Sequence, residues 1–149
     1  MDVRAVAALI AASLAAASCG SGGHNERLSK ADLVRKANAI CAELSDELAA
    51  RPSPFGSKNL IAYVDASRDD IERAVAALRR LEPPANLEDR YDEWVATGER
   101  ALDRLSELRR AAKRDDQAEV RRIFRRIVRE DRDSNRLARR LGLRRCAEE

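Results

Sequence analysis

The chain has 149 residues, of which 37% are charged and only 3% are aromatic, and its formal net charge is +3. His24 is the single histidine, and no glycine-rich phosphate loop or haem-attachment motif occurs, which excludes histidine-based triads, multi-histidine metal sites and attached haem. We therefore expect one small domain with an aliphatic core, without enzymatic activity, metal or other cofactor.

The first residues have the pattern of an export signal. Arg4 supplies a cation, an apolar run follows over residues 6–17, and small residues precede Cys19. The run is shorter than the ~20 apolar residues that a membrane-spanning helix needs. We therefore expect residues 1–18 to form a signal peptide and the rest of the chain to be exported.

The segment 16–20 (AASCG) resembles the lipobox of bacterial lipoproteins, in which the cysteine is lipidated and becomes the first mature residue. That family prefers leucine three residues before the cysteine, where this chain has Ala16. The resemblance implies a lipid anchor on Cys19, a tether over residues 19–28 and a location on the extracytoplasmic face of the cell membrane. The alternative is a soluble secreted protein cleaved near Ala17.

Two further cysteines, Cys41 and Cys146, remain once Cys19 is assigned to the anchor. An oxidising compartment favours a disulfide between them, which would join the first helix of the domain to its last segment. The alternative is two buried thiols that never meet.

Residues 29–149 are predicted to form a domain of amphipathic helices, because apolar residues recur at steps of three and four. The first helix begins at the cap residue Ser29 and ends before the proline- and glycine-containing segment 51–56. The second ends at residues 82–84 (EPP). The third has the most regular stripe, in which steps of four and three alternate over residues 87–112.

The fourth helix is predicted to begin after the cap residue Asp116 and to end at Gly142 in a left-handed conformation. The preceding segment 113–116 contains neither glycine nor proline, so the third and fourth helices could also form one long, kinked helix. Four helices with short connections predict an all-α fold, and specifically an up-down-up-down four-helix bundle.

Three short motifs resemble a group of small exported helical lipoproteins of high-GC Gram-positive bacteria. They are residues 37–41 (ANAIC), 81–85 (LEPPA) and 141–143 (LGL) before Cys146. The resemblance covers the whole mature domain and implies the helical bundle and the paired cysteines. It lends no catalytic residues, because the function of that group is unassigned.

Gly98 lies on the inward stripe of the third helix, one turn after Trp94, although a glycine inside a helix costs about 1 kcal/mol relative to alanine. One interpretation is a candidate ligand cleft lined by Tyr91, Trp94 and Gly98, which would make the protein a carrier or sensor of an apolar small molecule. The alternative is close helix packing, with a side chain of another helix placed over the glycine.

The inner stripe of the fourth helix is interrupted by Asp131 and Ser134. These two residues could bind a partner, or they could lie at the edge of the bundle. The predicted inner positions are Val120, Phe124, Ile127, Ala138 and Leu141, with Ile123, Val128 and Leu137 widening the stripe.

The fourth helix and the tail that follows it are basic, with eleven arginines and four acidic residues between positions 119 and 145. Nucleic acid is not an expected partner of an exported chain, whereas anionic lipid or a cell-envelope polymer is. Arginine outnumbers lysine 25 to 4 in the whole chain, so a GC-rich genome is an alternative explanation, as is the helix dipole. The candidate anionic-lipid patch consists of Arg136, Arg139, Arg140, Arg144 and Arg145.

From the sequence we therefore expect a lipid-anchored, extracytoplasmic helical module with a non-catalytic role in binding or envelope organisation. The alternative is a soluble or anchored small-molecule carrier that uses a cleft near Tyr91 and Trp94.

Overall fold

The computed structural model describes residues 27–52 and 57–147; the predicted signal peptide and Cys19 lie outside these ranges. The described residues form helices and connecting segments, and none of them lies in a strand. The predicted all-α class is confirmed. The four helices, each packed against the next, are α1 (Lys30–Ala49), α2 (Ser57–Arg79), α3 (Glu88–Lys113) and α4 (Gln117–Leu141).

Two of the predicted helix starts are confirmed by their capping hydrogen bonds. The Ser29 hydroxyl accepts a hydrogen bond from the Asp32 backbone N–H at 3.1 Å and donates one to the Asp32 carboxylate at 2.7 Å. The Asp116 carboxylate accepts one from the Glu119 backbone N–H at 3.0 Å. Each cap satisfies a donor that the first turn of the helix leaves unpaired.

Helices α3 and α4 are separate, although no glycine or proline lies between them. Asp115 adopts a left-handed conformation with φ of 54°, and the Asp116 N–H donates to the Ala111 carbonyl at 3.0 Å. Aspartate tolerates this region better than most residues do. The chain therefore turns at Asp115 instead of continuing as one long helix.

The predicted end of α4 is also confirmed. Gly142 has a φ of 85°, its N–H donates to the Arg139 carbonyl at 3.1 Å, and the Leu143 N–H donates to the Ala138 carbonyl at 2.9 Å. This pair of bonds is a Schellman motif. It directs Leu143 into the core, where the side chain is fully buried.

Two buried clusters form the core. The first contains residues from all four helices, such as Leu33 of α1, Leu78 of α2, Tyr91 of α3 and Leu141 of α4. The second contains only residues of α2, α3 and α4, and none of the described α1 residues belongs to it. Its members are Leu60, Val64, Leu108, Ala111, Val120 and Ile123.

The predicted inner positions of α4 are partly wrong. Phe124 and Val128 are 40% and 49% exposed, whereas Ile123 is 1% exposed. The centre of the second cluster is filled by Val120 and Ile123, which lie nearly a quarter turn or more away from Val128 around the helix. The flank of α4 that carries Phe124 and Val128 lies outside this cluster and is exposed.

The structure contains the predicted disulfide between Cys41 and Cys146, whose Cα atoms are 5.1 Å apart and whose positions are separated by 105 residues. A short 3₁₀ segment, Arg145–Ala147, carries Cys146 to the middle of α1. The backbone N–H of Arg145 donates to the Asn38 side chain at 3.0 Å. The bridge therefore attaches the end of the domain to α1.

Contacts of the domain begin before the predicted cap, within the segment that the sequence assigns to the tether. The Arg27 guanidinium donates to the Pro83 carbonyl at 3.1 Å and pairs with Glu88 at 2.8 Å. The Leu28 N–H donates to the Glu82 carbonyl at 2.8 Å. The connection between α2 and α3 therefore holds the chain just before α1.

Candidate functional site

A cavity of about 550 Å³ lies between α3 and α4. Its volume is within the range of small-molecule sites, which is roughly 300–1,000 Å³. The apolar part of its lining consists of Gly98 and Ala101 of α3 and Ile127 and Leu137 of α4, and the other lining residues are polar or charged.

Two hydroxyl groups meet where α3 and α4 face each other at this cavity. The Thr97 hydroxyl donates to the Trp94 carbonyl at 2.6 Å, and Thr97 Oγ1 lies 2.7 Å from Ser134 Oγ. Since the Thr97 proton is used, Ser134 donates to Thr97 and keeps its own lone pairs for another donor. Ser134 is therefore the hydroxyl that can accept a hydrogen bond from a ligand.

The rim of the cavity carries charges of both signs. Arg104 donates to the Glu130 carboxylate at 3.1 Å, and Arg136 pairs with Asp133 at 2.6 Å. By contrast, the side chains of Arg100 and Arg140 have no ion pair within the described part of the chain. Two cations at the rim therefore remain available to an anionic group.

Residues of α3 and α4 that have no evident connection in the sequence lie together at this cavity. Asp131 and Ser134, which interrupt the stripe of α4, line the same cavity as Gly98 of α3. The Asp131 carboxylate also accepts a hydrogen bond from the side chain of Asn135 at 3.2 Å. Asn135 is buried, and spacing alone did not indicate it as a core residue.

The three residues of the candidate ligand cleft do not line one cavity. Tyr91 and Trp94 are 1% and 5% exposed and belong to the first core cluster, with ring centroids 5.6 Å apart. The Tyr91 hydroxyl donates to the Leu78 carbonyl at 2.9 Å, and burial raises the pKa of this phenol. Only Gly98 of the three lines the cavity between α3 and α4.

Gly98 also lies at the closest approach of α2 to α3. A Cβ atom at this position would be 2.7 Å from Val75 Cγ2, which is closer than carbon atoms pack. This geometry agrees with the interpretation of Gly98 as a site of close helix packing.

Several residues of the candidate anionic-lipid patch contact other parts of the protein. Arg136 pairs with Asp133, and Arg139 donates to the Ala147 carbonyl at 3.3 Å. Arg136 and Arg140 both line the cavity between α3 and α4. Arg144 and Arg145 are exposed in the segment that follows α4.

Buried charge elsewhere in the domain has a structural explanation. Asp70 of α2 is 4% exposed and accepts hydrogen bonds from Arg51 and Arg73. These two hydrogen bonds, of which the one from Arg51 has the larger effect, hold the pKa of the Asp70 carboxyl below its ordinary value. Arg73 also pairs with Glu47 at 3.1 Å, so the network ties α2 to the end of α1.

The described residues show no metal centre and no membrane span. Within the ranges 27–52 and 57–147, no group of three or more histidine, cysteine or acidic side chains could hold a metal ion. No helix in those ranges has the length and hydropathy to cross a membrane.

Comparison with known proteins establishes no relationship for this chain: no family model, curated protein or solved structure matches it.

Proposed function

We propose that this protein is a lipid-anchored helical module on the extracytoplasmic face of the cell membrane, with a non-catalytic role in binding or in organising the envelope. Residues 1–18 are the export signal in this proposal, Cys19 carries the lipid, and the domain from residue 29 onward is the binding module. Anionic lipid or a cell-envelope polymer is the proposed partner class.

The observation that supports this proposal most strongly is the pairing of Cys41 with Cys146. Disulfides persist in oxidising compartments and are rare in the cytosol. Their pairing leaves Cys19 as the third cysteine, directly after the apolar run and small residues of the export pattern. A single remaining cysteine at that position is what a lipid anchor requires.

The up-down-up-down order of the bundle belongs to the same proposal. The first core cluster contains residues from the start of α1, the end of α2, the start of α3 and the end of α4. The second contains residues from the start of α2, the end of α3 and the start of α4. Alternating helix directions would bring these particular ends together.

The direct test is the intact mass of the protein extracted from its native membrane, before and after reduction. A mass that fits residues 19–149 plus acyl groups, with a gain of two hydrogens on reduction, is expected. The matched experiment is Cys19→Ala, which should move the protein out of the membrane fraction. An unlipidated mass, or a Cys19→Ala variant that stays in the membrane fraction, would overturn the anchor.

A second candidate function is supported by the cavity between α3 and α4. Its mixed lining, with Ile127 and Leu137 beside the unpaired Arg100 and Arg140, suits a small amphipathic molecule with an anionic group. In this interpretation the carrier site lies between α3 and α4, and the aromatic pair Tyr91 and Trp94 supports it from the core.

This second candidate is tested with the anilinonaphthalene sulfonate dye, an apolar anion whose emission rises in a dry site. The double variant Arg100→Gln/Arg140→Gln should weaken dye binding severalfold. The control Arg90→Gln/Arg110→Gln removes the same charge from exposed positions that do not line the cavity. Equal binding by both variants would show that the cavity is not the dye site.

A further inference from the structure

The exposed flank of α4 has an unusual composition for a protein surface. Phe124 and Val128 are the large hydrophobic residues that stand out as exposed within the described ranges, at 40% and 49%. They lie four residues apart and are therefore neighbours on one face of the helix. Large apolar side chains that cluster on a surface mark an interaction site more often than isolated ones do.

Exposed arginines border this apolar pair. Arg121 lies three residues before Phe124, Arg125 lies three residues before Val128, and Arg132 lies four residues after Val128. Arg129 continues the same exposed surface one turn after Arg125. We call this surface the α4 flank; it comprises Arg121, Phe124, Arg125, Val128, Arg129 and Arg132.

The four arginines of the α4 flank differ from Arg122, Arg126 and Arg136 of the same helix. Arg122 pairs with Glu119 at 2.5 Å, Arg126 lies 3.6 Å from Glu107, and Arg136 pairs with Asp133. None of the flank arginines has an ion pair or a side-chain hydrogen bond to another described residue. Their charge is therefore not neutralised within the described domain.

Further along α4, the same face is covered by the end of the domain. Asn135 follows Val128 by two turns and is 4% exposed, and Arg139 donates to the Ala147 carbonyl. Val128 lies ~10 Å before Asn135 along the helix. Its side chain is 49% exposed, so the described end of the domain does not cover the flank.

We propose that the α4 flank docks on an anionic phospholipid bilayer, with Phe124 and Val128 inserted at the interface and the four arginines paired with lipid phosphates. An apolar strip bordered by unpaired cations is the arrangement of helices that lie in the plane of a membrane interface. This inference rests on the proposed function, since it requires the domain to be exported and its signal removed. The proposed bilayer contact lies on the side of α4. None of its residues belongs to the candidate anionic-lipid patch predicted from the sequence.

The length of the tether permits this orientation. Arg27 and Leu28 are held at the end of the bundle where α4 ends, because Leu28 packs against the cluster that contains Leu141. The eight steps along the chain from Cys19 to Arg27 reach at most ~28 Å, which is more than the ~20 Å width of two helices packed side by side. A lipid on Cys19 can therefore enter the same bilayer on which α4 lies flat.

The insertion is tested with a tryptophan reporter. Val128→Trp in the full chain is mixed with vesicles of phosphatidylcholine that carries brominated acyl chains, with or without phosphatidylglycerol. We expect quenching at least threefold greater with phosphatidylglycerol than without it. The control reporter Asp103→Trp is exposed on α3 and should show no such increase. Trp94 is buried and contributes the same background to both reporters.

The role of the arginines is tested by charge removal in a Cys19→Ala background, so that no acyl chain holds the protein to the vesicle. Arg125→Gln/Arg129→Gln should weaken binding to phosphatidylglycerol vesicles about 25-fold, or roughly fivefold for each arginine. Arg90→Gln/Arg110→Gln removes the same charge from exposed positions of α3 and should have a much smaller effect.

Several outcomes would overturn the docking proposal. Equal quenching of the two reporters, or equal weakening by the two arginine pairs, would show that the protein binds through diffuse charge. A Val128→Trp reporter shielded from aqueous iodide without vesicles would show that a second copy or the segment before Arg27 already covers the flank. None of these results bears on the anchor, which is decided by the mass and fractionation of the protein.

Discussion

Val75 of α2 lies over Gly98 of α3 so closely that a Cβ atom on the glycine would be 2.7 Å from Val75 Cγ2. Gly98 lies near the middle of α3 and Val75 lies one turn before the end of α2, and the two helices pack against each other. A valine side chain has few alternative rotamers in a helix and cannot turn away easily. The glycine therefore sets how closely the two helices approach.

We expect Gly98→Ala to destabilise the domain by about 1 kcal/mol, within a net range of about 0–2 kcal/mol, although alanine is the better helix former. The gain in helix propensity, about 1 kcal/mol, is outweighed by the overpacking cost of about 1–3 kcal/mol. Urea unfolding measures the change. The double variant Gly98→Ala/Val75→Ala removes the clash and should show a favourable coupling between the two sites. A Gly98→Ala variant more stable than the parent would contradict the close approach.

Removal of the disulfide should cause the largest loss of stability. The bridge between Cys41 and Cys146 spans 105 positions, and closing a loop of this size is worth up to about 4.7 kcal/mol in the chain-entropy model. We expect Cys41→Ala/Cys146→Ala to lower the free energy of unfolding by up to this amount, which is measured as a lower urea midpoint. Reduction of the parent protein should have a similar effect and reduction of the variant none. An unchanged midpoint would mean that the unfolded chain gains little freedom when the bridge is lost.

The Asp70 network predicts acid sensitivity. The pKa of Asp70 is lowered in the fold by hydrogen bonds from Arg51 and Arg73. The ionised Asp70 carboxylate therefore stabilises the fold fully at pH values above the ordinary carboxyl pKa. This stabilisation is lost as the pH falls through the lower pKa that Asp70 has in the folded protein. We expect the Tm to decrease as the pH is lowered below about 4.

Asp70→Asn should be less stable than the parent at neutral pH and should lose less of its remaining stability in acid. The control is Asp69→Asn, which changes an exposed neighbouring carboxylate that has no described ion pair. Thermal unfolding from neutral pH to about pH 2 compares the three proteins across the range in which carboxylates titrate. If Asp69→Asn and Asp70→Asn gave the same pH profile, the buried network would not be the source of the acid sensitivity.

The turn between α3 and α4 should be sensitive to the residue at position 115. Asp115 has a φ of 54°, a region that costs most residues about 1–2 kcal/mol. We expect Asp115→Val to lower the Tm, because a β-branched side chain is poorly accommodated there. Asp115→Gly should be close to neutral or slightly stabilising. A Val variant as stable as the Gly variant would show that the turn adopts another conformation in solution.

Most of the helix boundaries could be predicted because their signals are local. The caps Ser29 and Asp116 bond to residues three positions away, and the Schellman motif at Gly142 involves its immediate neighbours. The Asp115 turn lacked such a signal, and it left open whether α3 and α4 are separate. Only the backbone geometry of the structure decides that question.

The candidate sites could be predicted less well, because each depends on residues far apart in the chain. The sequence indicates no connection between Gly98, Asp131 and Ser134. Only the packing of α4 on α3 brings them together in the lining of one cavity. Phe124 was placed inside the bundle because spacing gives its direction on α4. Its exposure depends on where the other helices lie, and spacing within α4 carries no information about their positions.

The sequence by itself determined the helical class, the caps of α1 and α4 and the cysteines available to pair, because these depend on periodicity, on hydrogen bonds within one turn and on a simple count. Only the tertiary structure decided that Arg126 approaches Glu107 of α3 and which flank of α4 is left uncovered. The pairs of Arg122 with Glu119 and of Arg136 with Asp133 are local to the helix, whereas exposure is set by neighbours from other helices. The α4 flank therefore became visible only when the four helices were packed together.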